Sequence, residues 1–157
     1  MITLAPEPLT RAAFAPFGDV IETAGAAHFV INEGTTTRFH ALTEAATGPE
    51  GTAILSIFRG RRRPLTLTMM ERHPLGSQAF MPLSDEDWLV VVAPSPEPSA
   101  LRCFRATGDQ GVSYFSGIWH HPLLVLCAQQ DFLVVDRQGP GENLEERMLS
   151  AAVEIEM

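Results

Sequence analysis

Apolar positions along the chain come in short runs rather than in long helical periods. The segments "TAILSIFRG", "LTLTMMERH", "SQAFMPL", "WLVVVAPS", "LRCFRAT", "GVSYFSGIW", "LLVLCAQQ" and "DFLVVDRQ" succeed one another between residues 52 and 138. Each is rich in Val, Leu, Ile, Phe or Thr and bounded by Gly, Pro, Asp or Ser, the signature of a strand. Before them, "PLTRAAFAPFGDVIE" offers Thr10 as an N-cap for a helical turn that ends near Phe14, with Pro16 and Gly18 as stops, and a strand at "DVIET". A further strand is expected over residues 29–32, a turn at Glu33 and Gly34, and then a polar stretch carrying Arg38 and His40. The tail "GPGENLEERMLSAAVEIEM" is acidic and predicts one amphipathic helical turn around residues 144–149. Many short strands at near-regular spacing predict an all-β fold, an antiparallel sandwich or barrel with short helices near the N-terminus and in the tail.

Length and composition narrow this picture. A chain of 157 residues buries enough surface for one core, so a single domain over 1–157 is expected. The proline-rich "APSPEPSA" is too short to link domains and reads as an exposed loop. Cys103 and Cys127 are too few for a disulfide framework and predict buried thiols in a reducing compartment. No apolar run reaches the length of a membrane span, and the N-terminus lacks a basic start followed by a long apolar stretch. A cytoplasmic location is therefore expected. The formal charge of −8 and pI near 5.0 set a field that repels nucleic acid and anionic membranes. The local exception is "FRGRRRPL", where Arg59, Arg61, Arg62 and Arg63 gather positive charge; it reads either as a solvated loop balancing nearby acids or as a site for an anion or partner.

Candidate chemistry lies in "MMERHPLGSQAF", residues 69–80, which sets polar groups between strand-like segments although only 19% of the chain is charged. Such a cluster must find partners or do chemistry. Glu71 and His73 alternate with Arg72 and so share one face of a strand. The turn at Pro74, Leu75 and Gly76 resets the register, after which Gln78 and Phe80 return to that face. A second polar island, "SGIWHHPLL", carries His120 and His121; adjacent strand residues face opposite ways, so one imidazole is expected inward and the other structural or at an interface. A carboxylate, two imidazoles and an amide suit a divalent metal. The spacing alone fits equally a metal or catalytic site and a satisfied buried polar network.

"ERHPLGSQAF" and "GIWHHPL", together with "AFAPFGDVIE", "INEGTTTRFHAL", "GDQGVSYFSGIWHHPL" and "DFLVVDR" in the same order, resemble the ureidoglycolate lyase family over nearly the whole chain. The resemblance implies a cupin-like double-stranded β-helix, a jelly-roll barrel, assembled as a homodimer. It also implies cleavage of ureidoglycolate to glyoxylate and urea in allantoin and purine degradation. Against the wider cupin pattern, Glu71 stands at the first His position, His73 at the second, Gln78 at the Glu position and His120 at the last His. The metal set implied is thus Glu71, His73, Gln78 and His120, with Ni2+ or another divalent metal as cofactor, and Glu71, His73 and His120 as the catalytic groups. For the substrate carboxylate a guanidinium is the natural partner, Arg38 being preferred over Arg72, which should point away from the Glu71 face. His40, two residues on, is the accompanying proton donor or acceptor, and Gln78 and Asn32 complete the substrate-binding set. The competing classes are a non-catalytic small-acid-binding cupin and a cupin enzyme acting on another small carboxylic acid.

Overall fold

The segment Trp88–Ala93 is apolar at every position because it is buried on both faces. Trp88, Val90 and Val92 enter one core, while Leu89, Val91 and Ala93 enter another on the opposite side. An uninterrupted apolar run is what such a strand requires, since neither parity meets water. Each of its large side chains contributes roughly 1.5–3 kcal/mol on burial.

The computed structural model describes residues 1–157. Two short strands, β1 (Ile2–Leu4) and β2 (Pro6–Pro8), precede α1 (Arg11–Phe14) and β3 (Gly18–Ile21). A hairpin of β4 (His28–Ile31) and β5 (Thr36–Phe39) turns through a 3-10 segment at Asn32–Gly34, where Glu33 takes a left-handed φ of 57°. The body of the chain is β6 (Thr52–Arg61), β7 (Thr66–Arg72), β8 (Gln78–Pro82), β9 (Trp88–Ala93), β10 (Arg102–Ala106) and β11 (Gly111–Tyr114). It closes with β12 (Trp119–His120), β13 (Leu124–Val125), β14 (Gln129–Gln138) and β15 (Glu145–Ile155).

These strands form two large sheets facing each other. One has the order β1-β15-β7-β12-β9-β10-β2, with β13 also on β9; the other has the order β3-β11-β8-β14-β6. Between them lies a core in which Val90, Val92 and Phe104 of the first sheet meet Phe80, Val112, Phe132 and Val134 of the second. The ring of Phe132 lies 4.8 Å from that of Trp88, in an edge-to-face arrangement that aromatic quadrupoles favour. Against this core packs α1, whose Phe14 is fully buried beside Phe104; Thr10 caps its start by accepting a hydrogen bond from the Ala13 amide. The all-β fold of packed antiparallel sheets expected from the run of short strands is the architecture found.

Three local expectations are corrected, and one stretch with no predicted element forms strands. The tail holds no helical turn: residues 145–155 form β15, antiparallel to β7, and a register shift between Met148 and Val153 blurs the alternation that would have marked a strand. The N-terminal residues are strands although β2 contains Pro6 and Pro8. It lies last in its sheet and pairs only with β10, in parallel, so missing amide donors on the open side cost nothing. "GVSYFSGIW" is two strands, β11 and β12, separated by a turn at Gly117, which has a φ of +81°. Cys103 is buried, but Cys127 is half-buried beyond the end of β13 and its thiol donates to the Gln129 carbonyl.

Candidate functional site

Strand register brings the two polar islands together. His120 is the direct cross-strand partner of Glu71, with β12 filling the gap between β7 and β9. Glu71 Oε1 and His120 Nε2 are 3.6 Å apart. His73 follows the end of β7, and its ring lies 5.1 Å from that of His120. The Gly117 amide donates to the His73 carbonyl at 2.9 Å, which ties the turn before β12 to the turn after β7. From the facing sheet, Gln78 sits opposite Tyr114 in the β8–β11 ladder. The Tyr114 ring stacks on His120 at 4.2 Å and 5°, so the imidazole plane is fixed from both sheets.

Hydrogen bonds on the far side of each ring decide which atoms point inward. His73 Nδ1 donates to the Asn143 carbonyl at 2.8 Å and His120 Nδ1 to the Ile118 carbonyl at 3.1 Å. A carbonyl only accepts, so the proton sits on Nδ1 and each Nε2 presents a lone pair. Gln78 donates its amide to Asp136 at 3.1 Å, leaving Oε1 as an acceptor. His73 Nε2, His120 Nε2 and Gln78 Oε1 are buried and lack hydrogen-bond partners within the chain. A buried polar atom without a partner is costly unless something binds it. One ligand atom from each of Glu71, His73 and His120 falls within 4.8 Å of the others, the separation that donors on a common cation require. The donor set therefore fits a divalent metal.

Electrostatics keep this set in its binding form. Burial pushes the Glu71 carboxyl upward, but a protonated His120, donating to it from Nε2, with charge on His73 and His121 behind it, outweighs that effect and the net shift is downward. The group stays ionised. Burial, aided by the Glu71 charge, raises the Tyr114 phenol, which remains protonated. His121 is buried beside His120 and lines the same cavity, contrary to the strict alternation expected, because β12 ends at His120 and the pleat no longer holds. Burial lowers its imidazole to about 4, with the Arg63 charge adding to the fall, and its Nδ1 donates to the Pro122 carbonyl.

The cavity between the sheets has a volume of about 350 Å³ and is lined by Glu71, Gln78, Tyr114, His120 and His121 together with Arg59, Arg61 and Arg63. Asn32, Arg38 and His40 do not line it. All three are exposed on the β4–β5 hairpin, where Arg38 stacks over Phe29 at 5.7 Å and His40 lies against the same ring. Arg72 also points away, held by Glu145 at 2.7 Å and stacked on Trp119 at 4.7 Å. Asn143 was not legible as a site residue: its carbonyl fixes His73 while its side chain accepts from the Leu75 amide at 2.8 Å. Nothing in "GPGENLEE" marks that role. Arg137 donates to the Thr47, Pro49 and Pro140 carbonyls.

The Arg72–Glu145 pair also fixes β15 to β7. Hydrogen bonds from Arg147 and Arg72 hold the Glu145 carboxyl below the ordinary 4.5. A depressed carboxyl pKa contributes stability that is present above the unfolded value and is lost as pH falls through the folded one. Glu145→Gln is thus expected to lower the urea midpoint slightly at neutral pH, with the difference from the parent closing as pH drops below about 4.5. A gap that stayed constant through the acid range would rule out the ionised pair as its cause.

A family model described as ureidoglycolate lyase matches residues 1–156. Among curated proteins, ureidoglycolate lyases of Pseudomonas entomophila (strain L48) and Pseudomonas putida (strain W619) are each 56% identical over 152 residues, covering 93% of this chain and 91% of theirs. The ureidoglycolate lyase of Pseudomonas syringae pv. tomato is also 56% identical, over 93% of this chain and 89% of its own. Among solved structures, oxalate decarboxylase from Bacillus subtilis is similar at 12% identity and a TM-score of 0.41, covering 80% of this chain; the chain spans 34% of that one.

Proposed function

The chain belongs to the ureidoglycolate lyase family, and we propose that it performs the family reaction in the cavity where Glu71, His73, Gln78 and His120 meet. It is an enzyme, a carbon–nitrogen lyase that cleaves ureidoglycolate to glyoxylate and urea. The observation that carries the site is the set of inward donors: two imidazole Nε2 atoms and an amide oxygen, all buried and unpaired, beside an ionised carboxylate.

Cleavage breaks the bond from the carbinol carbon to the ureido nitrogen, turns the C–O bond into a carbonyl, and moves one proton from the hydroxyl oxygen to the departing nitrogen. Glu71, held ionised among three imidazoles, is the group suited to accept that proton and return it to the nitrogen. Gln78 and the two Nε2 atoms orient the hydroxyl end of the substrate. Glu71, His73, Gln78 and His120 would hold Ni2+ or another divalent cation, which when bound supplies Lewis acidity that lowers the pKa of a hydroxyl. Asn32, Arg38 and His40 have no role within a single chain in this reading.

The test is a coupled assay on racemic ureidoglycolate that follows both products. Glyoxylate and urea are expected in equal amounts, from one enantiomer. Ammonia in place of urea would make the enzyme a hydrolase. After dialysis against a chelator, turnover should fall and return on adding nickel, and calorimetry should show a nickel site that His73→Ala and His120→Ala each weaken by at least about tenfold.

The reading includes a cytoplasmic homodimer. Two apolar surfaces support the second copy. On the outer face of the five-stranded sheet, Met81, Leu133 and Ile57 stand side by side in register, as do Ala79, Val135 and Leu55. Leu55 and Ile57 are 70% and 57% exposed, on the edge strand β6. The β4–β5 hairpin shows Phe29, Val30 and Phe39 to solvent, and a lone two-stranded ribbon is marginal in water. Light scattering is expected to give twice the chain mass for the parent protein and the single-chain mass for Ile57→Asp. A monomeric parent would remove the dimer from this reading.

A further inference from the structure

The substrate in this reading is a carboxylate, and the chain that must attract it carries a net charge of −8. Attraction must therefore be local. All 11 basic side chains are arginines, the residue whose planar fork matches a carboxylate. Most are already engaged. Arg11, Arg59, Arg72, Arg102, Arg105 and Arg147 pair with carboxylates, and Arg62 and Arg137 donate to backbone carbonyls. Arg38 stands on the hairpin, away from the cavity. Arg61 and Arg63 remain: each lines the cavity, and neither has an ion-pair or hydrogen-bond partner in the chain.

The backbone explains their placement. A Cβ at Gly60 would come within 2.9 Å of Leu123 and Val125, so glycine lets the end of β6 press against the segment that follows His120 and His121. Arg62 is then fixed to the Leu126 carbonyl and Arg59 is held by Asp131 at 2.9 and 3.1 Å. Between and beyond these anchors, Arg61 and Arg63 are left exposed and unpaired, lining the same cavity as Glu71 and His120.

We propose that Arg61 and Arg63 form the carboxylate-binding subsite of this cavity, holding the substrate anion so that the carbinol carbon bonded to it is presented to Glu71 and His120. The proposal rests on the lyase reading and extends it by assigning a role to the arginine run. Charge-assisted hydrogen bonds of this kind act equally on bound substrate and transition state, so their loss raises KM more than it lowers kcat.

The experiment is steady-state kinetics of the full-length enzyme and of Arg61→Ala, Arg63→Ala, the double variant, Arg63→Lys and Arg62→Ala, with glyoxylate inhibition as a second measure of anion affinity. Each single alanine variant is expected to raise KM roughly tenfold and the double variant about a hundredfold, with kcat changed by less than about threefold. The glyoxylate inhibition constant should rise in parallel. Arg63→Lys should recover part of the loss, and Arg62→Ala should match the parent. An active parent with an unchanged KM in the double variant would overturn the subsite alone. So would a fall in kcat at constant KM with unchanged glyoxylate inhibition. A parent that releases neither glyoxylate nor urea would overturn the lyase reading beneath it.

Discussion

Replacing Glu71 or His120 by alanine is expected to lower kcat by about 1,000-fold or more, equivalent to about 4 kcal/mol of transition-state stabilisation, while circular dichroism stays that of a folded β protein. The two side chains are a cross-strand pair 3.6 Å apart, on strands whose packing does not depend on them. Leu67 and Met70 anchor β7 in the second core, and Trp119 anchors β12. Loss of the carboxylate removes the proton carrier, and loss of the imidazole removes both an inward donor and the partner that keeps Glu71 ionised. Glu71→Gln sharpens the test, because it keeps shape and a hydrogen-bonding amide but cannot take up the hydroxyl proton. Parent-like turnover in Glu71→Gln would exclude the carboxylate as proton carrier.

The second large effect concerns stability. Phe132→Ala is expected to cost about 3–5 kcal/mol, a sizeable share of the 5–15 kcal/mol typical of a domain. Phe132 is fully buried and meets Trp88 at 4.8 Å and Phe80 at 6.4 Å, so truncation leaves a void that rigid aromatic neighbours fill poorly. Urea unfolding with an unchanged m-value measures the loss. Since Trp88 and Phe80 also line the cavity, the same variant should show weakened turnover below its melting range. A cost under about 1 kcal/mol would mean that the two sheets repack freely around this position.

What could be read from the chain followed the reach of each signal. Local chemistry was legible: Thr10 as a cap, the turn at Pro74 to Gly76, and the strands of the central body all rest on neighbouring residues. The closeness of Glu71, His73 and His120 was legible in part because strand alternation puts Glu71 and His73 on one face, and the likeness to a family pattern pointed to His120. Burial on both faces of β9 was written in its unbroken apolar run. Pairing was not legible. β2 is a strand only because β10 offers it an edge, and β15 is a strand only because β7 holds a sequence that alone looks like an acidic tail. The arginine run was ambiguous for the same reason. Whether a guanidinium is spent or available depends on Asp131 and the Leu126 carbonyl, more than sixty positions away in the chain. Asn143 was invisible because it acts on His73 through a backbone oxygen, which any residue carries.

The strand covered on both sides carries one more consequence. Its amides are bonded to β10 along one edge and to β12 and β13 along the other, under side chains that are all but sealed from solvent. No partial opening can wet this strand without separating both layers at once, so in deuterated buffer its protons should be the last to be replaced, and only at the rate of whole-molecule unfolding.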